Sequence, residues 1–223
     1  MKAYAFALVL LGSVACSRPD TVVPDRDVMD FKVLFQQNCS GCHGAEGQEG
    51  PGRNLSDTEY LALIPKETLR SVIEKGRPGT AMPPFALADG GPLYPPQVNA
   101  LVEGMEREWA KPVNFAGVKP PPYSGDGETG NPENGKALFE KSCFRCHGAG
   151  APIGPVTDPA YLTLVSDQWL RTSIIAGRSD LGMPDWRNVR REAPLTNAEV
   201  TDLAAYLSAL RFTPKITPTT AGK

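Results

Sequence analysis

The stretch Cys39-Ser40-Gly41-Cys42-His43 recurs as Cys143-Phe144-Arg145-Cys146-His147, 104 residues further along the chain. C-x-x-C-H is the attachment signature of c-type haem. In such a motif two thiols form thioether bonds to the haem vinyl groups, and the adjacent imidazole binds the iron from one face. The sequence therefore predicts two covalently bound haem c groups. Their thioether cysteines are Cys39, Cys42, Cys143 and Cys146, and their first axial ligands are His43 and His147.

The sequence around the two motifs is an internal repeat. Residues 57–63, DTEYLAL, are matched by residues 158–164, DPAYLTL, and the pairs Gly76-Arg77 and Met82-Pro83 by Gly177-Arg178 and Met183-Pro184. The offset is 104 residues at the motifs and 101 after them, as a three-residue deletion in the second copy would produce. The repeat predicts two tandem domains, 28–112 and 132–213, joined by a Pro/Gly-rich linker, 113–131.

Helical periodicity predicts an all-α fold, with each domain a small helical bundle around its haem. In each copy a first helix runs into the C-x-x-C-H motif, and a second lies near 66–75 or 167–176, followed by Gly76 or Gly177 as C-cap. A last helix begins after Pro96 in the first copy. In the second it begins at Thr196, where Thr196-Asn197-Ala198-Glu199 forms a capping box. No alternating strand pattern is present.

The N-terminus predicts export. Residues 1–15 combine Lys2 with an apolar run that is too short to span a membrane and fits a signal peptide. Cys16 is the one cysteine outside the haem motifs, and its position predicts a lipidated first residue of the mature chain. The alternative is an ordinary cleaved signal with a free Cys16. Residues 16–27 are expected to be a flexible tether and 214–223 a disordered tail. The net charge of -2 argues against nucleic-acid binding.

The second axial ligand of each iron must come from another residue type. The chain has only two histidines, and both belong to the motifs. Met82 lies 39 residues after His43, and Met183 lies 36 residues after His147, each directly before a proline. A lone methionine usually fills a core, but this matched placement predicts Met82 and Met183 as iron ligands. Met29 and Met105 are expected in core or surface roles.

At this point both copies resemble the class I cytochrome c family, in tandem dihaem form. The shared order is N-terminal helix, C-x-x-C-H, Gly-Pro, middle helix, Met loop and C-terminal helix. The Gly-Pro elements are Gly50-Pro51 and Gly154-Pro155. The resemblance implies that the carbonyls of Pro51 and Pro155 accept a hydrogen bond from the proximal histidine Nδ1–H and orient its ring.

The resemblance also implies that the first helix packs on the last, with a small residue against an aromatic one. The second copy fits, with Gly135 opposite Tyr206. In the first copy Phe31 takes the place of Gly135 and Gly104 that of Tyr206. We interpret this as a size exchange across one contact that conserves volume.

Further matched positions have two interpretations each. Arg77 and Arg178 precede the methionines and are candidates to pair with haem propionates, or are solvated surface residues. Phe85 and Trp186 are candidates for haem-pocket walls or core residues. Tyr60 and Tyr161 are expected in the core. The basic cluster Arg187, Arg190 and Arg191 is interpreted as a solvated loop, with docking of an acidic redox partner as the alternative.

The predicted function is electron transfer without catalysis. Histidine and methionine together leave the iron six-coordinate, which disfavours binding of small substrates and suits a carrier. We expect a periplasmic, lipid-anchored carrier of single electrons between membrane and periplasmic partners. Its motifs are similar to dihaem subunits that accompany cytochrome b and Rieske proteins in quinol-oxidising complexes. The alternative is a dihaem redox enzyme, a peroxidase or a sulfur-compound oxidoreductase, that uses one haem catalytically.

Overall fold

The computed structural model describes residues 26–125, 127–151, 153 and 156–211. In this part of the chain ten α-helices form, and β-structure is limited to isolated bridges. The predicted signal peptide, Cys16 and the C-terminal tail lie outside the described residues, as does Pro155. No helix within the described ranges has both the length and the apolar character needed to cross a membrane.

Each domain contains five α-helices in the same order. In the first domain they are α1 (Phe31–Asn38), α2 (Ser40–His43), α3 (Thr58–Leu63), α4 (Lys66–Lys75) and α5 (Pro95–Trp109). In the second they are α6 (Pro132–Ser142), α7 (Phe144–His147), α8 (Pro159–Thr163), α9 (Asp167–Ala176) and α10 (Asn197–Ala209). The all-α prediction is confirmed, and the predicted middle helices coincide with α4 and α9.

Two short helices, α3 and α8, were not predicted, and they explain the repeated D-x-x-Y-L sequence. The Asp57 carboxylate accepts hydrogen bonds from the amides of Glu59 and Tyr60, and Asp158 does the same for Ala160 and Tyr161. An N-cap aspartate satisfies amides that a helix start leaves without partners. The predicted capping box of the last helix is confirmed at Thr196.

The first and last helices of each domain pack together. In the first domain a Cβ added to Gly104 of α5 would lie 2.2 Å from the Phe31 ring of α1, so the ring occupies the space that the glycine leaves. In the second domain a Cβ on Gly135 of α6 would meet the Asp202 carbonyl oxygen at 2.0 Å and Tyr206 Cβ at 2.8 Å. The size exchange between the copies is confirmed.

The linker is anchored to both domains. Tyr123 is buried in the core of the first domain, whereas Phe115 packs against the core of the second. The Pro122 carbonyl accepts hydrogen bonds from the buried Arg171 guanidinium, at 3.1 Å from Nε and 2.9 Å from Nη2. The Arg77 guanidinium donates to the Tyr123 hydroxyl at 2.8 Å.

Candidate haem-binding sites

Each C-x-x-C-H motif forms a single helical turn directly after the first helix of its domain. The amide of His43 donates to the Cys39 carbonyl at 3.0 Å, and the amide of His147 donates to the Cys143 carbonyl at 3.0 Å. Residues four apart in such a turn lie on one face. The first cysteine and the histidine of each motif are therefore presented together, by the same geometry in both copies.

The four motif cysteines differ in exposure. Cys39 and Cys143 are half-buried, while Cys42 and Cys146 are exposed. Burial, together with the neighbouring motif cysteine, raises the pKa of the Cys39 thiol to about 12 and that of Cys143 to about 11. Before haem attachment, both half-buried thiols are therefore protonated at neutral pH.

The His43 ring is oriented by a backbone carbonyl, but not by the one that was predicted. Its Nδ1 lies 2.7 Å from the carbonyl oxygen of Arg53, two residues beyond Pro51. The loop folds tightly here, since the Gly52 amide donates to the Cys42 carbonyl at 2.8 Å and a Cβ on Gly52 would lie 2.9 Å from the His43 ring. This close turn brings the Arg53 carbonyl, rather than that of Pro51, to the imidazole. The matching prediction for Pro155 lies outside the described residues.

This hydrogen bond fixes the tautomer of His43, with the proton on Nδ1 and Nε2 as the nitrogen for iron. Burial lowers the pKa of His43, the hydrogen bond to the Arg53 carbonyl raises it in part, and the Arg178 cation of the second domain lowers it. The net direction favours the neutral imidazole, which is the form that binds a metal.

The two methionine loops share one backbone hydrogen bond. The amides of Arg77 and Arg178 donate to the carbonyls of Met82 and Met183, at 3.0 and 3.1 Å respectively. Gly76 and Gly177 make the return possible, because each has a positive φ, +66° and +67°, and a Cβ there would lie 2.5–2.6 Å from the loop backbone.

The candidate iron ligands are more exposed than the core methionine Met105. Met82, Met183, His43 and His147 are all half-buried, whereas Met105 is 1% exposed and packs inside the first core. The donor set of each domain therefore fits haem c: two free thiols, an imidazole and a thioether that is not committed to the core. Ligation by Met82 and Met183 stays a prediction.

Both predicted propionate partners have protein partners instead in this structure. Arg77 contacts Tyr123, and Arg178 pairs with Asp180 through two hydrogen bonds, Nε to Oδ1 at 2.9 Å and Nη2 to Oδ2 at 2.8 Å. Such a two-point contact suits a guanidinium and a carboxylate. Propionate contacts of Arg77 and Arg178 stay predictions for the haem-loaded chain.

The other matched aromatic residues differ between the copies. Trp186 is 1% exposed in the second core, and Phe85 is half-buried against the first. Tyr60 is buried as expected, but Tyr161 is 37% exposed, so its predicted core role is wrong. Of the basic cluster, Arg187 and Arg190 are engaged within the chain. Arg187 pairs with Glu59 and Asp185, and Arg190 with Glu199.

Sequence reasoning missed Arg53. This arginine has no counterpart in the second copy, where the two offsets place Gly154 or Thr157. It is 5% exposed, and its side chain pairs with Asp57 at 3.4 Å. The signal that could have identified it is the Arg53/Asp57 spacing of four residues directly after the haem motif.

Comparison with known proteins supports this description. A family model described as cytochrome c oxidase, cbb3-type, subunit III matches residues 26–102 and 130–207. The chain is 24% identical to the Cbb3-type cytochrome c oxidase subunit CcoP of Azospirillum sp. (strain B510), over 90% of this chain and 69% of that protein. It is 31% identical to subunit FixPc of Rhizobium leguminosarum bv. viciae, over 67% of this chain and 51% of the relative. Cytochrome c55X of Paracoccus denitrificans (strain Pd 1222) is 39% identical over 37% of this chain and 77% of that protein.

The helical fold and the two thiol–imidazole motifs define a tandem dihaem c-type cytochrome of class I. Its two domains bind covalently attached haem c. The chain belongs to the family of cytochrome c oxidase, cbb3-type, subunit III. It spans about half the length of the FixP-type relatives it matches.

Proposed function

We propose that this chain is a dihaem electron carrier that passes single electrons between periplasmic and membrane redox partners, as a subunit or direct donor of a cbb3-type cytochrome c oxidase. The observation that carries the proposal is the match of both domains to the subunit III family. The matched residues Met82 and Met183 support it, because a carrier needs two irons that change oxidation state without exchanging ligands.

The bound haem supplies the ferrous–ferric couple, and the chain supplies ligands and environment. The Arg53 carbonyl holds the His43 proton on Nδ1 and so keeps Nε2 directed to the metal. In each loop one backbone hydrogen bond ties the carbonyl of Met82 or Met183 to the amide of Arg77 or Arg178. The apolar core of each domain limits water access, which disfavours the more highly charged ferric state and raises the potential.

The oxidase takes the place of the quinol-oxidising complex as the proposed partner. The relatives CcoP and FixPc are named as cbb3-type oxidase subunits. The similarity that suggested cytochrome b and Rieske partners rests on loop motifs that many dihaem cytochromes share. A lipid anchor at Cys16, on the periplasmic side of the membrane, would keep the carrier near such a complex.

A catalytic role receives less support. A dihaem peroxidase requires one iron with an open or displaceable sixth position, but each copy here carries a methionine at the matched sequence position. A sulfur-oxidising dihaem enzyme of the known kind uses a cysteine ligand. In the described part of the chain every cysteine belongs to a C-x-x-C-H motif.

The test is electron delivery to a purified cbb3-type oxidase. The haem-loaded chain is reduced, separated from reductant and mixed with the oxidase in air-saturated buffer, and its oxidation is followed in the visible haem bands. We expect rapid oxidation that cyanide, an inhibitor of the oxidase, abolishes. In a parallel assay the oxidised chain is mixed with quinol and a cytochrome bc1-type complex. Reduction of the chain there would show that a quinol-oxidising complex donates electrons to it.

Two further measurements examine the alternative. Carbon monoxide is added to the ferrous chain. In separate assays the haem-loaded chain receives hydrogen peroxide with an electron donor, or thiosulfate with an electron acceptor. A carrier with both sixth positions filled shows little carbon monoxide binding and no turnover. Binding of carbon monoxide to one haem, together with turnover, would contradict the proposal and favour the enzyme.

A further inference from the structure

The two domains meet through a buried polar contact that joins the haem-attachment loop of one to the methionine loop of the other. The Arg53 guanidinium donates a hydrogen bond of 2.6 Å from Nη1 to the carbonyl oxygen of Gly177. Arg53 and Gly177 are both buried. A buried hydrogen bond from a charged donor contributes more to stability than a neutral one.

The Arg53 backbone belongs to the first haem site, because its carbonyl oxygen lies 2.7 Å from His43 Nδ1. The same residue thus contacts the proximal histidine of the first site through its main chain and the second domain through its side chain. Asp57 holds the guanidinium from the other side, with Oδ2 3.4 Å from Nη2. The Tyr60 ring lies 5.1 Å from the guanidinium carbon, a cation–π distance.

Gly177 belongs to the methionine loop of the second site. It ends α9 with a φ of +67°, and a Cβ there would lie 2.6 Å from the carbonyl oxygens of Met183 and Pro184. The next residue, Arg178, exchanges two backbone hydrogen bonds with Met183, at 3.1 and 3.0 Å. A group that fixes the Gly177 carbonyl therefore also fixes the start of the loop that carries Met183.

Other contacts run between the same two segments. Ser179 donates to the Asp57 carboxylate at 3.3 Å, and the Glu49 amide donates to Asp180 at 3.4 Å. The Arg178 guanidinium lies 3.5 Å from the Gly50 carbonyl oxygen. The segments 49–57 and 177–180 thus form one polar seam, with Arg53 as its most buried cation.

We propose that Arg53 is a positioning residue shared by both haem sites: its carbonyl orients His43 in the first, and its guanidinium fixes the Met183 loop in the second. A movement of the ligand-bearing segment at one site is then transmitted to the other site through Arg53. This coupling concerns the chain's own geometry and does not depend on which oxidase or complex accepts the electrons.

The experiment compares Arg53→Gln, Arg53→Lys and Arg190→Gln in the haem-loaded full chain. Arg190 is the matched control, since its partners Ala193, Pro194 and Glu199 all lie in the second domain. The readouts are the potentials of both one-electron steps, the far-red sulfur-to-iron band, and hydrogen exchange of segments 47–57 and 177–183 by mass spectrometry.

For Arg53→Gln we expect faster exchange in both segments and a downward shift of haem potential, because loss of a buried cation favours the ferric state. Arg53→Lys keeps the charge but loses the planar guanidinium, whose two Nη groups contact Gly177 and Asp57 at the same time. It is expected to retain potentials near those of the unmodified chain while exchange in both segments still rises. Arg190→Gln is expected to change none of the three readouts.

The proposal is overturned if Arg53→Gln matches Arg190→Gln in both potentials and exchange, or if only segment 47–57 responds. Should Arg53→Gln fail to fold or to bind haem, Arg53→Lys decides alone. Unchanged exchange at 177–183 in that variant would show that the guanidinium does not hold the Met183 loop.

Discussion

The Phe31 ring fills the space beside Gly104, so that a Cβ on this glycine would lie 2.2 Å from the ring carbons. The second domain has the reverse arrangement, with Gly135 beside Tyr206 of the last helix. The contact between the first and last helices therefore occurs in both domains. The large side chain is on the first helix in the first domain and on the last helix in the second.

We predict that Gly104→Ala destabilises the first domain by about 1–3 kcal/mol, the usual cost of overpacking. Gly135→Ala is expected to cost more, because its Cβ would meet the Asp202 carbonyl oxygen at 2.0 Å, and a helix backbone yields less than a side chain. The free energy of unfolding from denaturant titration measures both effects.

The double variant Phe31→Leu with Gly104→Ala is the control for this contact. Removing the ring makes room for the new methyl group, so the double variant should be more stable than the sum of the two single losses predicts. Simple additivity of the two costs would show that Phe31 and Gly104 do not share the contact.

Replacement of the predicted methionine ligands should change the haem absorption spectrum and leave the packing of the core intact. We expect Met82→Ala and Met183→Ala each to remove about half of the far-red sulfur-to-iron band of the ferric protein, since each takes one thioether from one of two irons. The measurement is the absorption spectrum of the ferric, haem-loaded chain.

Met105→Ala is the matched control, because Met105 is 1% exposed in the first core. Its loss should cost about 2–5 kcal/mol of stability, as for a buried methionine, and leave the band intact. A full band after Met183→Ala, or a reduced band after Met105→Ala, would contradict the predicted ligands.

Much of the fold was predictable because it rests on local patterns that occur twice. The motif spacing, the helical periodicity and the Thr196 capping box each depend on residues close in sequence. The positions of α4 and α9 follow from helical periodicity, and Leu69 and Ile73 on α4 are both buried.

The contacts between the domains could not be predicted in the same way. Arg53 bonds to Gly177 and Glu59 to Arg187, pairs separated by 124 and 128 residues. Nothing in the local sequence of either partner identifies the other. The acceptor for His43 was also misplaced, because it is the Arg53 carbonyl, two residues beyond the Gly-Pro pair.

The lipid anchor is predicted on residues outside the described part of the chain. Cys16→Ala should move the mature protein from the membrane to the soluble periplasmic fraction, because no acyl chain would be attached. Fractionation with detection of covalent haem checks this, and mass spectrometry of the N-terminus identifies the modification. Retention of Cys16→Ala on membranes that lack the oxidase would argue against the anchor.

The contact between Glu59 and the second domain should make the stability depend on pH. Arg187 bonds to both Glu59 and Asp185, so two carboxylates share one cation. Burial and the nearby Asp185 carboxylate raise the pKa of Glu59 to about 7, against the lowering effect of Arg187. Burial alone would raise the pKa of Asp185, but its hydrogen bonds from Arg187 outweigh burial and keep it below the ordinary value.

Because the pKa of Glu59 is higher in the folded chain than its ordinary value of 4.5, the folded state binds more protons between about pH 4.5 and 7. Stability from this group is fully present at the acid end of that window and is lost as the pH rises through 7. Asp185 titrates below the window. We therefore expect the denaturation midpoint to fall from pH 5 to pH 7.5, and this decline to be smaller in Glu59→Gln, which stays neutral. If the midpoint falls equally with pH in both proteins, Glu59 is charged over the whole range and remains ion-paired with Arg187.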